Sequence, residues 1–423
     1  MSPRSRLLAG FHATGGRADL AEHLRLWGPP PRPGGAEFIA AIEAAGLTGR
    51  GGAAFPTARK LRTVAAARKR AVVVANGGEG EPTSAKDRAL LTLAPHLVLD
   101  GAGLAADAVG ADEINVCVHD EETADLLRRA VAEREAAGLQ WTPVRVHRMP
   151  GHYVASEETA LVRWLDGGPA LPTFTPPRPF EKGVAGRPTL VDNVETLAHT
   201  ALIARYGPQW FRSAGAPDAP GTALFTTDGA VNRPGVYELP LGTPLTEVLR
   251  AAGGPSRELQ AVLAGGYGGG WLAPAALGTP ATQARLAAQG AALGPGIIVA
   301  LPAGTCGIAE TAAILGWLAD QNAGQCGPCM FGLPAIADDF AALTHRPGGH
   351  RIRQRLERRL GVLPGRGACR HPDGAVRLAR SALRVFAGHL ERHETGSGCF
   401  TATAVSMFPL PHRDPQAAER SAS

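Results

Sequence analysis

Aromatic residues are scarce in this chain, 5% of 423, and there are only six cysteines. Six dispersed thiols cannot staple a chain of this length, which excludes a disulfide scaffold. Few aromatics argue against a base-stacking nucleic-acid platform. No apolar run reaches the roughly 18 residues that a membrane helix needs. The basic N-terminus, Met1–Gly10, has an apolar stretch too short for a signal peptide. Neither sign of charge dominates, since 43 Lys and Arg against 38 Asp and Glu leave a net +5. The densest basic run, Arg351–Arg359, has helical spacing, contains Glu357 and reads as a solvated helix face rather than a nucleic-acid surface. The expectation is a soluble cytoplasmic protein with reduced thiols, no nucleic-acid partner and no direct membrane insertion. Membrane association would come only through partner subunits.

Hydrophobic residues make up 44% of the chain, enough for buried cores, and the length suggests about three domains. Helix-forming composition over Ala36–Ala45 leads into a glycine-rich loop, Gly46–Gly52. Strands are expected at Ala71–Ala75, Glu113–Val118 and Pro143–His147, with helices over Ala85–Val109 and Glu121–Ala137 between them. Such alternation predicts an α/β unit with a parallel sheet over residues 1–213. A Gly/Pro-rich boundary near Ala214–Gly221 opens a small α+β unit, 214–304. It has a hairpin from Thr222, a helix over Leu245–Ala252, the glycine tract Gly265–Gly270 and a strand at Gly296–Leu301. Helical periodicity then runs over 305–400, with helices expected at Ala309–Gln321, Pro334–Leu343, His350–Leu360 and Gly374–Leu390. Residues 401–423, rich in Pro, Ser and Ala, read as a disordered tail.

Four constellations suit chemistry. In Gly46–Lys60, glycines let backbone N–H groups converge on an anion, a helix begins just after, and Arg50, Arg59 and Lys60 add positive charge. A phosphate ester fits, and an ordinary mobile loop is the alternative. Asn76-Gly-Gly-Glu-Gly-Glu-Pro82 follows a strand directly, where ligands gather in parallel sheets. Glu79 and Glu81 there suit ribose or ribityl hydroxyls and would repel an extra phosphate; a solvated acidic turn is the alternative. Tyr153-Val-Ala-Ser-Glu-Glu-Thr-Ala160 is acidic, and by itself it also reads as a helix N-terminus. Gly324-Gln-Cys-Gly-Pro-Cys329, with Cys369 forty residues on, suits a metal or a cluster. A thioredoxin-type redox pair is disfavoured because no matching strand precedes it.

In this order the motifs resemble the flavin-bearing, NADH-oxidising subunit of respiratory complex I, a family shared with subunits of NAD-linked hydrogenases and formate dehydrogenases. The resemblance runs from about Gly46 to about Leu390. It rests on Gly49-Arg-Gly-Gly-Ala-Ala-Phe-Pro-Thr57, Asn76–Pro82, Tyr153–Leu161, Pro188-Thr-Leu-Val-Asp-Asn-Val-Glu-Thr-Leu-Ala198 and Gly229–Pro240. It implies a Rossmann-like FMN domain over 1–213, a ubiquitin-like (SLBB) domain over 214–304 and a helical bundle holding one [4Fe–4S] cluster over 305–400. By resemblance, Gly49, Arg50, Gly51, Gly52, Lys60, Asn76, Glu79, Tyr153, Glu157, Glu158, Asn193 and Thr196 line FMN. Phe55, Glu81 and Glu158 face the nicotinamide nucleotide, and Glu81 and Glu158 are the catalytic candidates. Cys326, Cys329 and Cys369 are the cluster ligands. The implied activity is hydride transfer from NADH to FMN and release of single electrons, through the cluster, to an iron–sulfur partner protein or ferredoxin. The alternative is a non-catalytic or NADH-independent scaffold of the same fold.

Several positions depart from the family. Ala323 stands where the first cluster cysteine belongs. This leaves open an incomplete or three-iron cluster, a surrogate thiol from Cys306 or Cys399, zinc on Cys326, Cys329, Cys369 and His371, or no metal. Gly78 replaces an aspartate, Asp192 an asparagine, and Ala155-Ser156 a Cys-Gly pair. Thr63 and Arg178 replace two rings that hold the nucleotide, so FMN is better supported than NADH. Arg178 also raises NADPH as a donor, against the charge of Glu79 and Glu81.

Overall fold

The structure is a computed structural model that describes residues 6–67, 69–345, 349–395 and 406–411. Four strands, β1 (Ala71–Asn76), β2 (Ala111–Val118), β3 (Val144–Arg148) and β4 (Thr189–Asn193), form a parallel sheet in the order β3-β2-β1-β4. β1 reads as an unbroken β-branched run because both its faces are covered. Val73, Ala75 and Leu190 pack under helices that include Gly35–Ala45, Pro95–Val109 and Val194–Arg212. Val72, Val74 and Cys117 face Leu161 and Val162 of helix Glu158–Leu165. Helices Pro95–Val109 and Val194–Arg212 cross so tightly that a Cβ on Gly101 would lie 1.8 Å from the Leu197 carbonyl oxygen.

Two expected helices are each broken. The stretch 85–109 is Lys86–Leu93 and Pro95–Val109, bent by 96°. Pro95 disfavours the helical conformation at Ala94, which sits at φ −139°. The stretch 374–390 is His371–Val385 and Ala387–Glu394. The break falls at Phe386, whose ring packs on Trp271 at 5.1 Å. β4 and helix Val194–Arg212 are additional to the expected elements.

A second sheet combines β5 (Thr222–Gly229), β6 (Gly235–Pro240), β7 (Leu259–Ala264), β8 (Gly270–Leu272) and β9 (Ile297–Pro302) in the order β8-β7-β9-β5-β6. β5 and β9 pair in parallel and the other neighbours are antiparallel. Backbone N–H groups of Arg6, Leu7 and Leu8 donate to the Glu238 carboxylate on β6 at 2.8, 2.9 and 3.1 Å, tying the N-terminal segment to this sheet.

Helices Gly307–Asp320, Leu333–His345, Gly349–Val362, His371–Val385 and Ala387–Glu394 follow. Trp271 of β8 joins them to the second sheet, its backbone N–H donating to Ser381 and its indole N–H to Thr311, both at 2.9 Å. The arginine-rich helix is not wholly a solvated face, since Arg355 and Arg359 clamp the buried carboxylate of Asp339. Part of the segment expected to be disordered is packed: Phe408 is buried, and Pro409 and Pro411 accept hydrogen bonds from Tyr267 and Trp317 at 2.7 Å. Among the described residues no single helix is long and apolar enough to cross a membrane.

Candidate functional site at a strand switch point

The chain runs outward from β1 to β2 and β3, then returns to β4 on the other side of β1. That reversal opens a crevice at the carboxyl ends of β1 and β4, where open α/β sheets bind ligands. The last residues of these strands, Asn76 and Asn193, are register partners. Asn76 donates to the Ser156 carbonyl at 2.8 Å and accepts from the Gly78 N–H at 3.1 Å. Asn193 caps helix Val194–Arg212, accepting from the Glu195 N–H at 3.0 Å, and donates to Asp87 at 2.7 Å.

The loop before helix Thr57–Ala65 is a closed hairpin. Gly49 N–H donates to the Phe55 carbonyl at 2.8 Å, and Thr57 N–H to the Leu47 carbonyl at 3.0 Å. The loop lies over β4, with Gly51 so near that an added Cβ would meet the Asn193 Cβ at 3.3 Å. Arg50, expected to supply charge to a phosphate, is a correction. Its guanidinium is buried and directed to Thr48 and the Pro220 carbonyl, and its backbone N–H donates to Thr196 at 2.9 Å. Lys60 does reach the crevice: its Nζ donates to the Val191 carbonyl at 2.7 Å and lies 3.7 Å from Glu158 and 3.5 Å from Asp192. Arg178 lies 3.6 Å from the other oxygen of Glu158. Phe55 is an exposed ring with the Arg59 guanidinium 5.7 Å above it.

Three acidic candidates are committed elsewhere. Glu79 accepts from the N–H groups of Asp87 and Arg88, at 3.1 and 3.0 Å, and from Ser84, so it secures the start of helix Lys86–Leu93 rather than presenting a free carboxylate. Glu157 caps helix Glu158–Leu165 through the N–H groups of Thr159 and Ala160 at 2.9 and 3.1 Å, so the helix-start reading of that motif holds for this residue. Glu81, expected at the nicotinamide, accepts from the N–H groups of Tyr267 and Gly268 at 2.9 and 3.3 Å and from the Tyr153 hydroxyl at 3.3 Å. Burial pushes its carboxyl up to about 7 against those three donors. Glu158 is the acid that remains turned to the crevice.

The Gly265–Gly270 tract is the element whose role the sequence did not reveal. Gly265 and Gly266 have φ of +90° and +74°, which turns successive N–H groups onto the Glu81 carboxylate. A Cβ on Gly374 would lie 2.9 Å from the Gly268 Cα, so helix His371–Val385 abuts the same turn. The tract therefore joins all three units. The buried group of Lys86, Asp87 and Glu195 behind Asn193 was also missed, with Lys86 Nζ 2.7 Å from Asp87 and 2.9 Å from Glu195.

Tyr153 leads from the crevice towards the cysteines. Its ring lies 4.9 Å from His371 and 5.6 Å from Trp317. Cys326 and Cys329 flank the start of a single π turn, Pro328–Gly332. Burial raises Cys329 to about 12 and Cys369 to about 11, while the backbone N–H groups of Ala323 and His371 act as donors to the two sulfurs and partly offset it. The proposed surrogate Cys306 caps the far end of helix Gly307–Asp320 and contacts His393 at 3.2 Å. That 14-residue helix separates it from the cysteine pair by about 20 Å. Cys399 lies outside the described residues. The zinc set does not form: His371 Nε2 faces the Leu318 carbonyl at 2.9 Å, and no three His, Cys, Asp or Glu among the described residues gather around one ion.

The chemistry of the crevice suits FMN on two counts. Asp192 is buried with one carboxylate oxygen lacking a partner among the described residues, which suits an N–H donor such as the flavin ring carries. Lys60 and the glycine loop supply the cation and the close backbone approach. Cys329 interacts electrostatically with Cys326 and Cys369, and Cys369 with Cys326, so three sulfurs neighbour one another without closing on a single ion; they are three of the four thiolates a cluster takes, and Ala323 holds the fourth position.

Comparison with known proteins agrees. Residues 42–201 match the Nuo51 FMN-binding domain, 224–270 the SLBB domain, and 309–393 the NADH-ubiquinone oxidoreductase-F iron-sulfur binding region. The second F-type subunit of NADH-quinone oxidoreductase from Rhizobium meliloti (strain 1021) is 32% identical over 406 residues, covering 92% of this chain and 95% of that protein. The F-type subunit of the Escherichia coli (strain K12) NADH-quinone oxidoreductase is 33% identical over 374 residues, covering 84% of each. A chain of the NAD+-reducing [NiFe]-hydrogenase in the H2-reduced state superposes with a TM-score of 0.82 at 30% identity, over 93% of this chain and 68% of that one. With its crevice, its joining turn and its cysteine loop in this arrangement, the chain belongs to the family of the flavin-bearing F-type subunits of NADH-quinone oxidoreductase and NAD-linked hydrogenase.

Proposed function

We propose that this chain is an NADH-oxidising electron-transfer subunit that holds FMN between β1 and β4 and passes electrons to an iron–sulfur partner. The observation that carries this reading is the pairing of Asn76 with Asn193 at the switch point, with Lys60 beside them. Bound there, FMN would supply the conversion of a two-electron donor into single electrons. The protein's part is positioning. The loop Gly49–Gly52 offers backbone N–H groups, Lys60 offsets the carboxylates of Glu158 and Asp192, and Tyr153 fills the space between Glu81 and His371.

On the nucleotide side, Phe55 remains as an exposed ring, while Thr63 turns its hydroxyl to the Arg59 carbonyl at 2.8 Å and Arg178 pairs with Glu158. Each missing ring weakens NADH by about 1–3 kcal/mol, by analogy with base stacking. Weak NADH binding with firm FMN binding is expected. Purified protein that takes up no FMN on reconstitution contradicts the reading, and NADH-dependent ferricyanide reduction by the flavin-loaded protein supports it.

A further inference from the structure

Glu79 and Glu81, the two acids expected to repel an extra phosphate on the nucleotide, are both engaged by the protein itself. Glu79 is taken up by the N–H groups of Asp87 and Arg88 and by Ser84. Glu81 is enclosed by the N–H groups of Tyr267 and Gly268 and by the Tyr153 hydroxyl. Asp192 is buried, with Lys60 at 3.5 Å. Glu158, the acid left facing the crevice, lies between two cations. Lys60 is 3.7 Å from one of its oxygens and Arg178 is 3.6 Å from the other.

The Arg178 backbone is pinned in a turn. Its N–H donates to the Glu181 carboxylate at 2.8 Å, and its carbonyl accepts from the N–H groups of Glu181 and Lys182, both at 2.9 Å. The side chain is 54% exposed, and its separation from Glu158 is longer than a hydrogen bond, so its donors stay open to a ligand. In doubly wound dinucleotide sites an acid binds the ribose 2′-hydroxyl of NAD, and an arginine accommodates the 2′-phosphate of NADP. Glu158 and Arg178 place both groups at one crevice, with the acid already balanced by cations.

We propose that Arg178 seats the 2′-phosphate of NADPH, so that the crevice accepts NADPH as well as NADH and binds NADPH more tightly. The proposal rests on the electron-transfer reading above and names a second donor for the same site. The guanidinium turns from Glu158 to the phosphate, where its planar fork meets two oxygens at once, and Lys60 continues to balance Glu158. Loss of the two rings at Thr63 and Arg178 weakens both dinucleotides alike, whereas the phosphate contact is open to NADPH alone. In balance, NADPH gives up one hydride and becomes NADP+. The two electrons of the hydride reduce two ferricyanide ions, and its proton goes to solvent.

The test uses the FMN-loaded full chain. Calorimetry takes NAD+ and NADP+ as non-reducing probes, and NADH and NADPH are compared as donors to ferricyanide. NADP+ is expected to bind tenfold or more tighter than NAD+, and its binding to weaken more steeply with added salt. Arg178→Gln should abolish this preference, and Glu158→Gln, which frees Arg178 from its acid, should increase it. An ion pair with a structural role alone would shift both variants in the same direction and both nucleotides alike. The ratio of the KM values for NADPH and NADH should follow the same order. The proposal is overturned if NAD+ binds as tightly as NADP+, or if Arg178→Gln keeps the preference. NAD+ binding and NADH oxidation without NADP+ binding overturn the phosphate seat alone. Preferred NADP+ binding with no ferricyanide reduction by either donor overturns the electron-transfer reading and supports the seat.

Discussion

Asn193 donates from its side-chain amide to the backbone oxygen of Asn76 at 3.2 Å, bridging the ends of two neighbouring parallel strands at the point where the sheet changes direction. The same Asn193 caps the following helix and contacts Asp87, so one residue fixes both the crevice and the helix behind it. Replacing it with alanine is expected to cost about 1 kcal/mol through the lost cap. FMN retention on desalting should fall as well. Unchanged unfolding midpoint and unchanged flavin retention would reject this dual role.

Ala54 occupies a left-handed conformation, φ +51°, inside the loop that approaches β4. An L-residue in this region is strained by roughly 1–2 kcal/mol, partly offset in glycine by unfolded-chain entropy. Ala54→Gly is therefore expected to stabilise the protein by about 1 kcal/mol, read as a higher urea midpoint at unchanged slope. A lower midpoint would mean that the alanine is accommodated without strain.

Glu81 is raised from 4.5 to about 7 by burial between the first unit and the Gly265–Gly270 turn. Its folded-state value exceeds its unfolded one, so folding favours the protonated form. That contribution is fully present below about pH 4.5 and lost as pH rises through about 7. Glu81→Gln cannot ionise, so its stability relative to wild type should increase from about pH 5 to about pH 8 in denaturant titrations. A constant difference would place the titration elsewhere.

The first unit was largely legible because its signals are local. The β-branched run at Ala71–Ala75 announces a strand covered on both faces. What stayed hidden depends on tertiary contacts. Nothing in the sequence shows that Arg50 turns inward to Pro220, or that Glu81 reaches across to Tyr267 and Gly268. The glycine tract read as a loop because its role, receiving a carboxylate on one side and a helix on the other, appears only when three units meet. Strand β4 is short and contains Asp192, so its pattern did not stand out.

Ala323 contributes a methyl where the family has a thiolate, beside Cys326 and Cys329. Ala323→Cys restores four thiolates in the family's positions. It is expected to raise the iron retained after anaerobic reconstitution and to slow its loss to a chelator. Equal iron in both proteins would mean that the fourth position is filled by another group.

The most direct measurement is anaerobic titration of the FMN-reconstituted full chain with NADH, followed by its visible absorbance. Stoichiometric FMN whose absorbance bleaches on NADH addition, and recovers on adding ferricyanide, is the predicted result. A chain that retains no FMN, or whose bound flavin is left unchanged by NADH, would contradict an NADH-oxidising site at Asn76 and Asn193.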